Sequence, residues 1–143
     1  MGNGYELLEH KADVLFEASG ASFERALENA AQALFDTTAK TAKLKGERKI
    51  EITQTAATLE ELVVFTLGAL LSEGDANEVF FKRFAVKEFK ENKEFVVRGE
   101  AWGDAERPEL GGTVVKAVTF HELRVARPDA KNKEWRVRVL LDV

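Results

Sequence analysis

The stretch TLEELVVFTLGALL, Thr58 to Leu71, decides how this chain has to fold. It opens with Thr58 and Glu61 at capping-box spacing, where a hydroxyl and a carboxylate each satisfy a free N–H at the start of a helix. Leu59, Leu62, Val63, Val64, Phe65, Leu67, Leu70 and Leu71 then follow, and at helical pitch they wrap most of the way around the cylinder. Such a helix has little surface to give to water, so it must be covered from more than one side. The rest of the sequence has to supply that cover.

Upstream, VLFEA from Val14 to Ala18 reads as a short strand that closes into a turn at Gly20. Ser22 is placed to cap a helix whose apolar positions Phe23, Ala26, Leu27, Ala30, Ala31, Leu34 and Phe35 form one stripe, opposite Glu24, Arg25, Glu28 and Gln32. RKIEIT, Arg48 to Thr53, alternates as a strand with Ile50 and Ile52 on one face. Downstream, Glu78–Phe89 and Glu94–Trp102 read as a hairpin about Glu91-Asn92-Lys93. A polar loop from Gly103 to Gly112 leads to strands at Thr113–Thr119 and Glu122–Arg127, a turn at Arg127–Lys133 and a last strand to Val143. In that last strand Trp135, Val137, Val139 and Leu141 face one way, and Arg136, Arg138, Leu140 and Asp142 the other. The order β-α-β-α followed by a run of strands indicates an α+β fold with mainly antiparallel sheet. We expect one domain over residues 1–143, with two helices packed between β layers.

Composition narrows the function. The chain has 143 residues, 45% apolar and 32% charged, enough for one real core. It has no cysteine, which removes disulfides, thiolate nucleophiles and Cys-built zinc sites, and fits a reducing compartment. No window approaches a membrane span and no leader is evident, so a soluble, cytoplasmic protein without a membrane partner is expected. The net charge of −4 argues against broad gripping of nucleic acid. Arg124, Arg127, Lys131, Lys133, Arg136 and Arg138 cluster near the end of the chain, but charges alternating with apolar residues on strands are usually a solvated face.

Signals for chemistry are sparse. No serine sits in G-x-S-x-G, no helix carries H-E-x-x-H, and Gly111-Gly112 is not followed by Lys-Ser/Thr. In EHKAD, Glu9 to Asp13, the residues His10 and Asp13 stand just before a strand, where local turn hydrogen bonds are the ordinary use of such side chains. Lys116 and His121 lie near strand ends. Asp142 and the main-chain carboxylate of Val143 are hard oxygen donors, suited to Ca²⁺ or Mg²⁺. They read either as a fraying acidic tail or as half of a metal site that needs a third donor, for which Asp13 is the best candidate by type.

EHKADV (Glu9–Val14), KAVTFHELRV (Lys116–Val125) and VLLDV (Val139–Val143), in this order and spacing, resemble the archease family. The likeness extends to ASFERALENAA (Ala21–Ala31) and VFFKRF (Val79–Phe84). It implies an archease-like sandwich and an accessory role in tRNA splicing and RNA repair: activation of an RtcB-type, GTP-dependent RNA ligase by promoting its guanylylation and turnover, without being an enzyme itself. It further implies a divalent metal ion, Ca²⁺ or Mg²⁺, held by Asp13, Asp142 and Val143, with Lys116, His10 and His121 serving partner activation. Stable direct binding of nucleic acid is not expected. A chaperone or specificity role toward a tRNA methyltransferase is the alternative, and a small metal-dependent hydrolase a more distant one. The sequence departs from the family pattern at Lys11, Phe65, Ala69 and Pro108.

Overall fold

A computed structural model describes residues 4–8 and 13–143. The elements are β1 (Tyr5–Leu8), β2 (Val14–Gly20), α1 (Phe23–Thr38), β3 (Arg48–Ala56), α2 (Leu59–Asn77), β4 (Val79–Glu91), β5 (Phe95–Ala105), β6 (Ala117–Ala126) and β7 (Trp135–Asp142). They build a four-stranded sheet in the order β1-β2-β7-β6 and a three-stranded sheet in the order β3-β5-β4, with every pairing antiparallel. Both helices lie between the sheets: α1 packs on β2, β7 and β4, and α2 on β3, β4, β5 and β6. The α+β sandwich expected from the sequence is the observed one.

The caps work as the sequence indicates. Ser22 Oγ accepts from Arg25 N at 3.1 Å, and Thr58 Oγ1 from Glu61 N at 3.1 Å, each satisfying an amide that the helix cannot. The α1 stripe is fully buried, from Phe23 through Leu34 and Phe35. In α2, Leu59, Leu62, Val63, Val64, Leu67 and Leu70 are all buried, and they point at two different sheets. Leu59, Leu62, Val63, Leu67 and Leu70 join Val137, Val139 and Leu141 of β7 and Ile52, Val97 and Ala101 of the smaller sheet in one continuous core. Gly20 lets α1 seat on the end of β2, because a Cβ there would stand 2.6 Å from Ala26 N.

Three departures from the sequence reading have local causes. Tyr5–Leu8 forms an edge strand, β1, that four residues with a half-exposed pattern do not announce. It is fastened by Tyr5, whose hydroxyl donates to Asp36 Oδ2 at 2.7 Å and whose ring meets Phe16 edge-on. The supposed loop from Gly103 begins later, since β5 runs to Ala105. There Asp104 turns its carboxylate to the amides of Lys45, Gly46 and Glu47, at 2.6, 3.1 and 3.0 Å. Burial pushes the Asp104 carboxyl up, but those three N–H groups and the Lys45 charge outweigh it and hold the group below the usual carboxylate range. Finally, Thr113–Lys116 is not a strand. Gly112 N and Thr113 N instead donate to Thr38 O and Thr37 O, both at 2.8 Å, so the start of this segment is tied to the end of α1, and the chain joins β7 only from Lys116 onward.

Two expectations follow. Leu67→Ala, at a side chain with no exposed surface, should cost about 2–5 kcal/mol in denaturant unfolding. Tyr5 has its phenol pushed up to about 12, first by burial and then by the hydrogen bond to Asp36 and the charge of Asp36. A folded value above the unfolded one means that its contribution is complete below pH 10 and is lost as the pH rises from about 10 through about 12. The stability difference between wild type and Tyr5→Phe should shrink across that window in chemical unfolding at graded pH.

Candidate functional site at the end of the four-stranded sheet

Strand β7 is central in its sheet, and its register decides which residues meet. Val14 of β2 pairs with Leu141, and Ala117 of β6 pairs with Asp142. Asp13 immediately precedes Val14 and Lys116 immediately precedes Ala117, so Asp13, Asp142, Val143 and Lys116 meet at one end of three neighbouring strands. Strands lie only about 4.7–4.9 Å apart, so residues remote in sequence share a small surface. Lys116 N donates to Asp142 O at 2.7 Å and locks the β6 end of this arrangement.

The burial pattern orients the groups. Leu141 is wholly buried and Asp142 is exposed, on opposite faces of the sheet as neighbours on a strand are. Asp13 is half-buried, Lys116 is exposed, and Val143 is half-buried and packs against the core. The end of the last strand is paired through Leu141 with Val14 of β2 and through Asp142 with Ala117 of β6.

His121 takes a different position. Between Thr119↔Leu140 and Arg124↔Arg138 the β6–β7 register breaks, so residues 120–123 of β6 bulge opposite Val139. Glu122 in that bulge has φ of 57°, a left-handed conformation that costs a non-glycine residue energy. Thr119 holds the bulge down: its Oγ1 donates to Leu140 O at 3.0 Å and accepts from His121 N at 3.3 Å. His121 is exposed and sits beside Val139, three residues along β7 from Asp142, not on the carboxylates. His10, and with it Lys11, lies outside the described residues.

Among the sequence departures, Phe65 is on α2 and meets Phe120 of the bulge, Ala69 is half-buried on α2, and Pro108 is the exposed first residue of a short 3-10 turn, Pro108–Leu110, whose Leu110 is buried. The basic residues near the end of the chain are in part neutralised, with Arg138 on Glu17 at 3.5 Å and Arg127 on Glu91 at 3.4 Å. Thr119 and Phe120 were not singled out by sequence reasoning, because a bulge inside an alternating run carries no period of its own.

Donor chemistry can be tested against the expected metal. Two aspartates and main-chain oxygens form an all-oxygen set, which fits a hard cation and not a soft one. Among the described residues no group of three or more His, Cys, Asp or Glu side chains is placed to hold a metal ion. A cation at Asp13 and Asp142 would therefore depend on main-chain oxygens, water or a partner for its remaining ligands. No helix among the described residues is long and apolar enough to cross a membrane.

A two-layer sandwich of antiparallel sheets with its helices inside and a charged strand end defines a class of small α+β proteins. Residues 5–143 match the Archease protein family (MTH1598/TM1083), and the chain belongs to that family. An archease of Methanosarcina mazei is 36% identical over 145 residues, covering 99% of this chain and 97% of that one. One from Sulfolobus acidocaldarius is 33% identical, covering 97% and 98%. The solution structure of Methanobacterium thermoautotrophicum protein 1598 superposes with a TM-score of 0.85 at 28% identity over 99% of both chains. The crystal structure of a Thermotoga maritima archease, named a possible chaperone, shares the fold with a TM-score of 0.60 at 24% identity, over 95% of this chain and 94% of that one.

Thr119→Val, which removes both hydroxyl bonds, should cost about 1 kcal/mol of stability. It should also speed amide hydrogen exchange at His121, while exchange in the β2–β7 ladder stays unchanged.

Proposed function

We propose that this protein is an accessory factor of tRNA splicing and RNA repair that activates an RtcB-type, GTP-dependent RNA ligase, promoting its guanylylation and turnover. The observation that carries this reading is the convergence of Asp13, Asp142 and Lys116 on one sheet end through the β2–β7–β6 register. Of these residues, the family resemblance assigns Asp13 and Asp142 to the metal and Lys116 to partner activation. A group of anions beside one exposed ammonium, carried on paired strands, is a rigid point of contact for a charged site on another protein.

Asp13, Asp142 and the main-chain oxygens of Val143 would hold a divalent cation, Ca²⁺ or Mg²⁺. When bound, such an ion supplies charge neutralisation for phosphate oxygens. The protein's own residues orient and screen. Asp142 presents its carboxylate outward from a strand end that cannot rotate, and the Lys116 amide bond to Asp142 O fixes the main chain between them. The Lys116 side chain is free of the core and can reach an anionic group of the ligase or its nucleotide. An incomplete oxygen set is what one half of a shared site should look like, the remainder coming from the partner.

The test is ligase guanylylation by GTP, with and without this protein. Asp142→Ala should fold normally, since exposed substitutions usually change stability by less than about 0.5 kcal/mol, and should leave the ligase at its unstimulated rate. Its affinity for Ca²⁺ or Mg²⁺ should fall by at least the roughly 10-fold that loss of an outer-shell partner costs a metal site. Stimulation by Asp142→Ala equal to that of wild type would overturn the proposal. If methylation by a tRNA methyltransferase also changed on adding either protein, the chaperone reading would be favoured.

A further inference from the structure

Four large apolar side chains among the described residues stand out as exposed: Leu7, Phe65, Val114 and Phe120. Three of them surround the start of β6. Val114, 78% exposed, lies two residues before Lys116. Phe120, 54% exposed, lies four residues after it in the bulge, and its ring meets that of Phe65, 39% exposed, edge-on at 6.4 Å. Val114 and Phe120 thus stand on either side of Lys116 along the chain, and Phe65 joins them through its contact with Phe120.

Two features set this pair apart from stray surface residues, which need no explanation. First, the backbone is distorted to present it. The β6–β7 ladder is interrupted between Thr119 and Arg124, and Glu122 is held left-handed; such conformations persist where surrounding structure enforces them and concentrate at functional surfaces. Second, the distortion rules out one class of occupant. β6 is an edge strand, but its bulge removes four residues from the edge, so an incoming strand or a second copy cannot continue the ladder there. What remains is docking through side chains.

We propose that Phe65 and Phe120, with Val114 across Lys116, are the apolar anchors by which the ligase of the preceding section is held against the charged sheet end. This rests on that reading of the function. Few interface residues carry most of the binding energy, and these are enriched in aromatics bordered by polar groups. Two partly exposed rings fall well short of the roughly 1,200 Å² that a stable interface buries, so they do not make a homodimer seam by themselves. They complete an interface whose polar part is the neighbouring Lys116, Asp13 and Asp142. The division of labour is that the rings bind and the charged end activates.

The experiment measures both quantities separately, with the full chain and a purified RtcB-type ligase. The Phe65→Ala/Phe120→Ala variant should bind the ligase about tenfold or more weakly, yet at saturating concentration give the wild-type rate of guanylylation. Phe120→Asp, a single change at an exposed site, should do the same and guards against a folding defect in the double variant. Asp142→Ala should show the opposite, near-normal binding without stimulation. Unchanged affinity of both phenylalanine variants, beside a wild type that binds and stimulates, overturns this inference alone. A wild type that neither binds nor stimulates overturns it together with the proposed function. A concentration-dependent dimer of the wild type that the variants abolish assigns the patch to a second copy and overturns it as well.

Discussion

Everything in this molecule depends on hiding α2. Its buried residues, among them Leu62, Val63, Val64, Leu67 and Leu70, are spread around the cylinder, and no single sheet can cover them. One sheet beneath and another above is the solution, and the two sheets are thereby fixed relative to each other through the helices. This is why the core forms one continuous cluster in place of one per sheet.

That constraint also sets the stage for the charged end. β7 is buried on its inner face by Val137, Val139 and Leu141, and a strand with one buried face cannot slip by one residue without turning that face to water. Its register against β2 and β6 is therefore held by packing that occurs well away from Asp142. The positions of Asp13 and Lys116 relative to Asp142 are inherited from apolar side chains. The polar groups need no mutual attraction to meet, and this matters because like-charged carboxylates have none.

The parts legible in the sequence were those with a period. The α1 stripe, the wrapped α2, the hairpin of β4 and β5 and the two faces of β7 are repeats of 3.6 or 2, and the structure follows them. β1 was not legible, because it is a short edge held by one tyrosine hydroxyl and one ring contact, both made with distant residues. Thr113–Lys116 looked like strand because Val114 and Val115 favour it, but two carbonyls at the end of α1 claim its neighbouring amides first. At the charged end, residue types suggested Asp13 and Asp142 and the family likeness joined them. Only strand pairing shows that they share an edge, and that His121 is diverted into a bulge. His10 remains outside the described residues.

Strand order has a consequence for how the protein comes into being. Glu17 and Arg138 are 121 positions apart, yet their strands are neighbours, and β7 fills the gap between β2 and β6. Such distant pairings form late, after a long loop has closed. On the ribosome, β2 and β6 would wait with unpaired edges until residues 135–142 emerged, a period in which other chains compete for those edges. Without β7 the strand that joins β2 to β6 is missing, and with it the pairing that brings Asp13 and Lys116 beside Asp142.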